Sequence, residues 1–299
     1  LGLRTLTVIR DAEAAIQKKD PSFSIRKLDY DDAATYKMLG QGETEGVFQL
    51  ESSGMKQVLV GLQPQNLEDV IALISLYRPG PMDSIPTYLR NRHEPDKISY
   101  KTPQLAHILD VTNGCIVYQE QVMQIFRELA GFSFGQADNV RRAMSKKKHA
   151  VMEAEREHFV HGCTEPGHEC PGCVANGISE EVANEIYDEM SSFASYAFNK
   201  SHAACYAYVA FQTAYLKCHY PSEFMAALLT SVLDNTDKVI EYSGECARLG
   251  IKVLPPDVNI SNGGFTADDG KIRFGLNAVK NVGRNLIERV VEERKEKPY

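Results

Sequence analysis

The spacing of the apolar residues constrains this chain most. Over most of its length they recur every three or four positions, the interval that places them on one face of an α-helix. Leu3, Leu6, Val8 and Ile9, followed by Ala12, Ala15 and Ile16, keep this period until Asp20-Pro21, where proline removes a helix donor. Leu67, Val70, Ile71, Ile74 and Leu76 repeat it until Arg78-Pro79-Gly80-Pro81. The same period predicts helices near residues 118–130, 135–147, 149–160, 179–194, 200–218, 222–232 and 237–248. The expected fold class is therefore mainly α: a helical domain with a small mixed α/β appendage at the C-terminal end.

Two segments break the rhythm. Residues 161–178 are rich in Gly, Pro, Cys and His and keep no apolar period. After Leu249-Gly250 the pattern changes again, and Ile251–Leu254 and Lys271–Phe274 read as short strands around Pro255-Pro256 and Asp268-Asp269-Gly270 turns. The expected division is a helical domain over 1–250, with 161–178 as a Cys/His-rich insertion, and a second region over 251–299. No internal repeat is visible.

Composition excludes several classes. With 33 Lys+Arg against 40 Asp+Glu, the formal net charge of −7 over 299 residues argues against wholesale coating of nucleic acid but leaves room for a local basic patch. No apolar stretch approaches the roughly 18 residues of a membrane span, and the N-terminal residues lack the order of a signal peptide. The 7 Cys are odd in number, and Cys115, Cys205, Cys218 and Cys246 sit singly in apolar or helical runs, so a disulfide scaffold is not expected. A cytoplasmic protein without a membrane is expected. Because the chain starts at a Leu inside a helical pattern, a fragment of something longer is expected too.

The densest positive charge is Arg141-Arg142-Ala143-Met144-Ser145-Lys146-Lys147-Lys148-His149. At about 100° per residue, Ala137, Val140 and Met144 cluster opposite Arg142 and Lys146, with Arg141 and Lys148 on the border between the faces. Such a cationic face suits phosphate, since guanidinium forks onto its oxygens and Lys adds point charge. The plainer alternative is a solvated last turn whose cations complement the helix dipole. Phe198-Asn199-Lys200-Ser201-His202 precedes another apolar run; a cap at Asn199 or Ser201 would set Lys200 and His202 among the free N–H groups of the first turn, an anion site, or would simply cap the helix. Asp29-Tyr30-Asp31-Asp32 has the D-x-D spacing of metal-dependent phosphoryl transfer, but Asp31 or Asp32 introduces Ala33–Leu39 and reads as a helix cap. No Ser–His–Asp order supports a hydrolase triad.

Cys163, Cys170 and Cys173, with His161 and His168 interleaved, have metal-like density. Cys170-Pro171-Gly172-Cys173 can present two thiolates to a structural Zn2+, with Cys163 third and His168 or His161 fourth; the alternative is three reduced thiols in an insertion. Near the end, Gly275–Gly283 followed by Leu286, Ile287, Val290 and Val291 reads as a Gly-bounded hairpin and helix, in which backbone N–H groups around Lys280 and Gly283 could hold a DNA phosphate. An ordinary helix cap would look much the same.

Five motifs occur in a specific order: Gly42-Glu43-Thr44-Glu45-Gly46-Val47-Phe48-Gln49-Leu50-Glu51-Ser52, Tyr77-Arg78-Pro79-Gly80-Pro81, Tyr118-Gln119-Glu120-Gln121-Val122-Met123, Arg141-Arg142-Ala143-Met144 and Phe198-Asn199-Lys200-Ser201-His202. Together they make the chain, from Leu1 to Tyr299, resemble the C-family bacterial replicative DNA polymerases, the DNA polymerase III alpha subunits. The resemblance implies that residues 1 to about 250 are a fingers domain that folds over the primer terminus and the incoming dNTP. The tail from about 251 would open the clamp-binding region with its helix-hairpin-helix. Arg141 and Arg142 would approach the triphosphate, with Lys200 and His202 beside it and Tyr77, Arg78 and Gln119 lining the nucleotide and template cleft; Lys146, on the cationic face of the same helix, is a further phosphate-binding candidate.

The intact enzyme implied is a DNA-directed DNA polymerase acting on template-primer DNA, partnered by a sliding clamp and other replisome subunits. In that family two Mg2+ are held by three palm aspartates N-terminal to a Leu-Gly-Leu-Arg-Thr-Leu stretch like Leu1–Leu6, so this fragment alone is expected to be inactive. Ser145 stands where the family would place a Gly, and residues 163–173 exceed its common pattern. Two rivals remain on the residues: a helical replisome adaptor without a nucleotide role, and a zinc-dependent hydrolase around the cysteines.

Overall fold

A computed structural model describes residues 3–146, 149–194 and 196–299. The first helices are α1 Arg4–Gln17, α2 Ala33–Gly40, α3 Ser53–Leu62, α4 Leu67–Leu76 and α5 Ile85–His93. They are followed by α6 Ala106–Leu109, α7 Gln119–Ala130, α8 Phe134–Ser145, α9 His149–His161 and α10 Gly172–Ala175. The last are α11 Glu180–Ala194, α12 Lys200–His219, α13 Pro221–Ser231, α14 Thr236–Arg248 and α15 Arg284–Glu293. Three short strands, β1 Val253–Leu254, β2 Thr266–Asp268 and β3 Lys271–Arg273, form a sheet in the order β1-β3-β2, parallel between β1 and β3 and antiparallel between β2 and β3. The architecture is mainly α with a small mixed sheet, as the periodicity predicts.

The chain separates into two compact units, Leu1–Leu67 with Tyr208–Tyr299, and Glu68–Ala207. In the first, Val8, Ile9, Ala12 and Ile16 of α1 share one core with Phe224, Met225 and Leu229 of α13, Val239 and Cys246 of α14, and Ile272 of β3. Each large side chain removed from water here contributes about 1.5–3 kcal/mol, which is why the spacing visible in the sequence is the spacing that packs. Pro221 opens α13 at a position where a missing N–H costs nothing. The Gly42–Ser52 motif is a loop held by its own polar groups: Thr44 Oγ1 donates to Leu50 O at 2.6 Å, Gly46 N to Glu51 Oε2 at 3.0 Å and Phe48 N to Thr213 Oγ1 at 3.1 Å. Gly46 has φ +76° and a Cβ there would run into Leu228, so only glycine fits the loop's bend.

Lys217 lies inside this unit. Its side chain is fully buried and 2.7 Å from Glu245, and it also donates to Glu43 O and Glu45 O at 2.9 Å each. Arg248 grips the same carboxylate with two 2.7 Å contacts. A buried ammonium is tolerated only when so completely partnered.

The second unit is built around α7. Val122, Ile125, Phe126 and Leu129 meet Ala137, Val140 and Met144 of α8, Phe159 and Val160 of α9, and Ile186, Tyr187 and Met190 of α11. The stripe expected on α8 is thus the buried one. Ser133 and Gln136 cap α8 reciprocally, at 3.3 and 2.7 Å. α8 ends at Ser145 rather than within 146–147: Lys146 is its C-cap, so the cationic run straddles a helix end.

Five elements were not anticipated: α3, α5, the four-residue helices α6 and α10, and β2. Helices α3 and α5 bury only Met55, Leu59 and Leu62, and Ile85 and Tyr88, too few to show as a period. Strand β2 pairs with β3 across an Asp269-Gly270 turn with φ +46° and +70°, the two left-handed residues that a tight hairpin needs. Its three residues are too short to alternate visibly.

Candidate functional site

The site in the second unit starts from one backbone bridge. Phe198 N donates to Val117 O at 3.2 Å and Gln119 N donates to Phe198 O at 2.9 Å, so two motifs some eighty residues apart run side by side. Three consecutive polar residues then divide the work. Gln119 donates its Nε2 to Ala197 O at 3.0 Å and offers its Oε1 to Arg141 Nη1 at 2.9 Å. Glu120 accepts from Lys200 N and Asn199 Nδ2, all at 3.1 Å. Gln121 is buried and fully used: Oε1 accepts from Val117 N and Tyr118 N, and Nε2 donates to Ile108 O and Thr112 Oγ1.

Arg141 and Arg142 share one acid. Asp138 Oδ1 accepts from Arg141 Nε at 3.0 Å and Nη2 at 2.7 Å, while Oδ2 lies 2.7 Å from Arg142 Nε. The Arg141 hydrogen bond, outweighing slight desolvation and aided by the charge of both guanidiniums, holds the Asp138 carboxyl below its usual range. Arg141 is 18% exposed and Arg142 65%.

Arg78 stacks over the Phe198 ring at 4.0 Å, donates from Nη2 to Tyr196 O at 2.8 Å and from Nε to Ser75 O at 3.1 Å. Gly80, φ +102°, lies against the Tyr196 ring, where a Cβ would come within 2.4 Å of a ring carbon. Lys200 Nζ sits 3.0 Å from Glu68 and 5.3 Å from the centre of the Tyr118 ring. His202 packs its exposed ring between Phe198 and Tyr206, at 5.4 and 4.6 Å. Tyr77 continues α4 through Tyr77 N to Leu73 O, and its half-buried side chain belongs to the same turn as Arg78.

The structure therefore brings Arg78, Gln119, Arg141, Lys200 and His202 into one framework through the Tyr118–Phe198 bridge. It does not provide the free helix N-terminus expected at Lys200 and His202: Glu120 and Asn199 Oδ1, the latter 2.9 Å from His202 N, already take those N–H groups. Lys146 is exposed at the end of α8; Lys147 and Lys148 lie outside the described residues. Lys280 and Gly283 belong to the other unit, where Gly283 caps α15 in extended backbone, φ −73°, and Asn281 holds the left-handed position, φ +65°. The residues overlooked in the sequence are Asp138, Glu120 and Glu68. Asp138 had a signal, because an acid three and four positions before two arginines faces both on a helix; Glu120 and Glu68 act across the fold and had none.

The structure gives the expected zinc ligands no support: among the described residues no group of three or more His, Cys, Asp or Glu is placed to hold a metal ion. Cys163 and Cys170 pair across a two-residue bridge with 2.9 Å hydrogen bonds, and Gly162, φ +88°, packs on the Pro171 backbone. Cys170 and Cys173 point into the apolar core, where burial pushes the Cys173 thiol up to about 12. His168 donates its backbone N–H to Glu165 O at 2.9 Å. Close backbone packing and buried thiols order the loop, an option that composition alone does not reveal. Asp29 serves Asp31 N, and Asp32 caps α2 on Thr35 N at 2.8 Å, as expected, while its Oδ2 also lies 2.9 Å from His219 Nε2.

Residues 5–167, which span the Gln119 and Arg141-Arg142 motifs, match the bacterial DNA polymerase III alpha subunit finger domain. The chain belongs to that family. Residues 250–299 match a helix-hairpin-helix motif, in the segment that holds Lys280, Gly283 and α15. The DNA polymerase III subunit alpha of Thermus aquaticus is 49% identical over 98% of this chain and 24% of its own length. Those of Bacillus subtilis (strain 168) and Escherichia coli (strain K12) are each 44% identical over 100% of this chain and 26% of their own lengths. This polymerase III finger chain thus spans about a quarter of the curated relatives it matches. Among its described residues no helix is long and apolar enough to cross a membrane.

Proposed function

We propose that this chain is the fingers portion of a template-dependent DNA-directed DNA polymerase, and that the Arg141–Arg142 end of α8 receives the triphosphate of an incoming dNTP. The observation that carries this reading is the Arg142 guanidinium, 65% exposed beside a second arginine that the protein itself immobilises. A fork of N–H donors fixed at its root and open at its tip is suited to phosphate oxygens. Lys200, tethered 3.0 Å from Glu68 but one-third exposed, adds a second cation on the same framework. Gln119 and Arg78 hold the walls.

The fingers contribute orientation and charge. Mg2+, which the family implies, finds no fitting donor set among the described residues, where Asp29 and Asp32 of the D-x-D segment serve the backbone N–H groups of Asp31 and Thr35. What the chain's own residues supply is binding of the phosphates that leave as pyrophosphate, an electrostatic stabilisation that grows as charge moves onto them. The Lys280–Gly283 segment, in a helix-hairpin-helix match, would contact duplex phosphates without reading sequence, and clamp and replisome subunits would be partners of the intact protein.

Arginine-selective modification tests this. Phenylglyoxal treatment of the intact subunit on primer-template, with and without the templated dNTP, followed by peptide mass spectrometry, should show Arg142 protected by nucleotide. Equal modification in both samples would refute the assignment.

A further inference from the structure

We propose that Asp138 is a positioning residue that divides the arginine pair, locking Arg141 into the wall and presenting Arg142 as the guanidinium that meets the triphosphate. This rests on reading the site as a nucleotide cleft. The division is visible in the donors. Three nitrogens of Arg141 are engaged: Nε and Nη2 on Asp138 Oδ1, and Nη1 on Gln119 Oε1. Gln119 is itself fixed to Ala197 O at 3.0 Å, so Arg141 is fastened at both ends of its guanidinium.

Among the described residues the Arg142 guanidinium makes one contact, from Nε to Asp138 Oδ2 at 2.7 Å. Its Nη1 and Nη2 meet no protein acceptor among the described residues, which leaves the terminal edge of the fork outward, the edge that grips two phosphate oxygens at once. Asp138 lies three and four residues before its partners, so both side chains fold back along α8 toward its N-terminus. Because each carboxylate oxygen is committed to a different guanidinium, Asp138 cannot turn to neutralise either one further without releasing the other. The arrangement reduces the rotamer freedom Arg142 must lose on binding, and such preorganisation appears as affinity for the ligand rather than as a new contact.

The role acts through Arg142, so it is tested by coupling. In the full-length polymerase subunit, single-nucleotide incorporation and primer-template affinity at one fixed salt are measured for Asp138→Asn, Arg142→Ala and the double variant. Asp138→Asn is expected to raise KM for the dNTP by about three- to tenfold, as loss of preorganisation does, with kcat and DNA affinity little changed. In the Arg142→Ala background the same substitution should add nothing, whereas a general structural role would add its full effect. Asp138→Glu, which keeps the charge, should recover part of the loss, and if Asp138→Asn fails to fold, the cycle with Asp138→Glu decides. An unchanged KM, or an Asp138 effect undiminished without Arg142, overturns the proposal. If Arg142→Ala itself leaves nucleotide use unchanged, the cleft reading falls, and this inference with it.

Discussion

Both carboxylate oxygens of Glu120 lie 3.1 Å from the backbone nitrogen of Lys200. The positive end of α12 is therefore already neutralised by a charge from the start of α7, and the side chains, not the helix terminus, carry the exposed charge of this region. Glu120→Ala removes the cap and should destabilise the chain by about 1–2 kcal/mol. Urea unfolding at neutral pH measures this, and an unchanged midpoint would mean that the contact contributes nothing.

Lys217→Ala should be more costly, about 2–4 kcal/mol, because it leaves the carbonyls of Glu43 and Glu45 without their buried donor and the Glu245 carboxylate with Arg248 alone. The pair also sets a pH dependence. Burial pushes the Glu245 carboxyl up, but its hydrogen bonds to Arg248 and Lys217 outweigh this and leave it below its ordinary 4.5. A depressed carboxyl contributes stability that is complete above 4.5 and is lost as pH falls through the folded value. The stability gap between wild type and Glu245→Gln should therefore narrow on acidification below that value. A gap that widens there would reverse the assignment.

Thiol labelling separates packing from metal binding. Burial pushes the Cys173 and Cys246 thiols up to about 12, whereas Cys205 is exposed. Native protein at pH 8 should alkylate at Cys205 and spare Cys173 and Cys246 until urea is added. If a chelator instead unmasked Cys163, Cys170 and Cys173 together, those thiols would be metal ligands and their packing role would be wrong.

Gly80→Ala should disturb the Arg78 turn, since φ +102° and the overlying Tyr196 ring both exclude a Cβ. A loss of about 1–3 kcal/mol is expected. No loss would mean that the turn rearranges freely.

Helices such as α1 and α7 were legible because their buried faces carry four or more apolar residues at helical spacing. The arginine pair and the capping asparagine were legible from local pattern as well. The order of the Cys-rich loop is not legible in its sequence, because CxxC spacing is shared by metal knuckles and by turns that bury their thiols, and the packing of Gly162 against the Pro171 backbone has no local signal. The role of Glu120 was hidden for a different reason. Its partner is eighty positions away, and no local period encodes a contact that exists only once the Tyr118–Phe198 bridge has formed.

The central claim is that Arg142 binds nucleotide phosphate, and Arg142→Ala in the intact polymerase subunit tests it most directly. A bidentate, charge-assisted contact of about 1.5–3 kcal/mol corresponds to roughly ten- to a hundredfold in kcat/KM for the dNTP. Arg142→Lys should recover only part of it, since charge returns without the fork. Steady-state incorporation, with primer-template affinity measured at the same fixed salt, should show that loss while DNA binding stays within about twofold, because one phosphate contact among many is replaceable. Unchanged nucleotide efficiency with collapsed DNA affinity would contradict the account and reassign the arginine to the duplex.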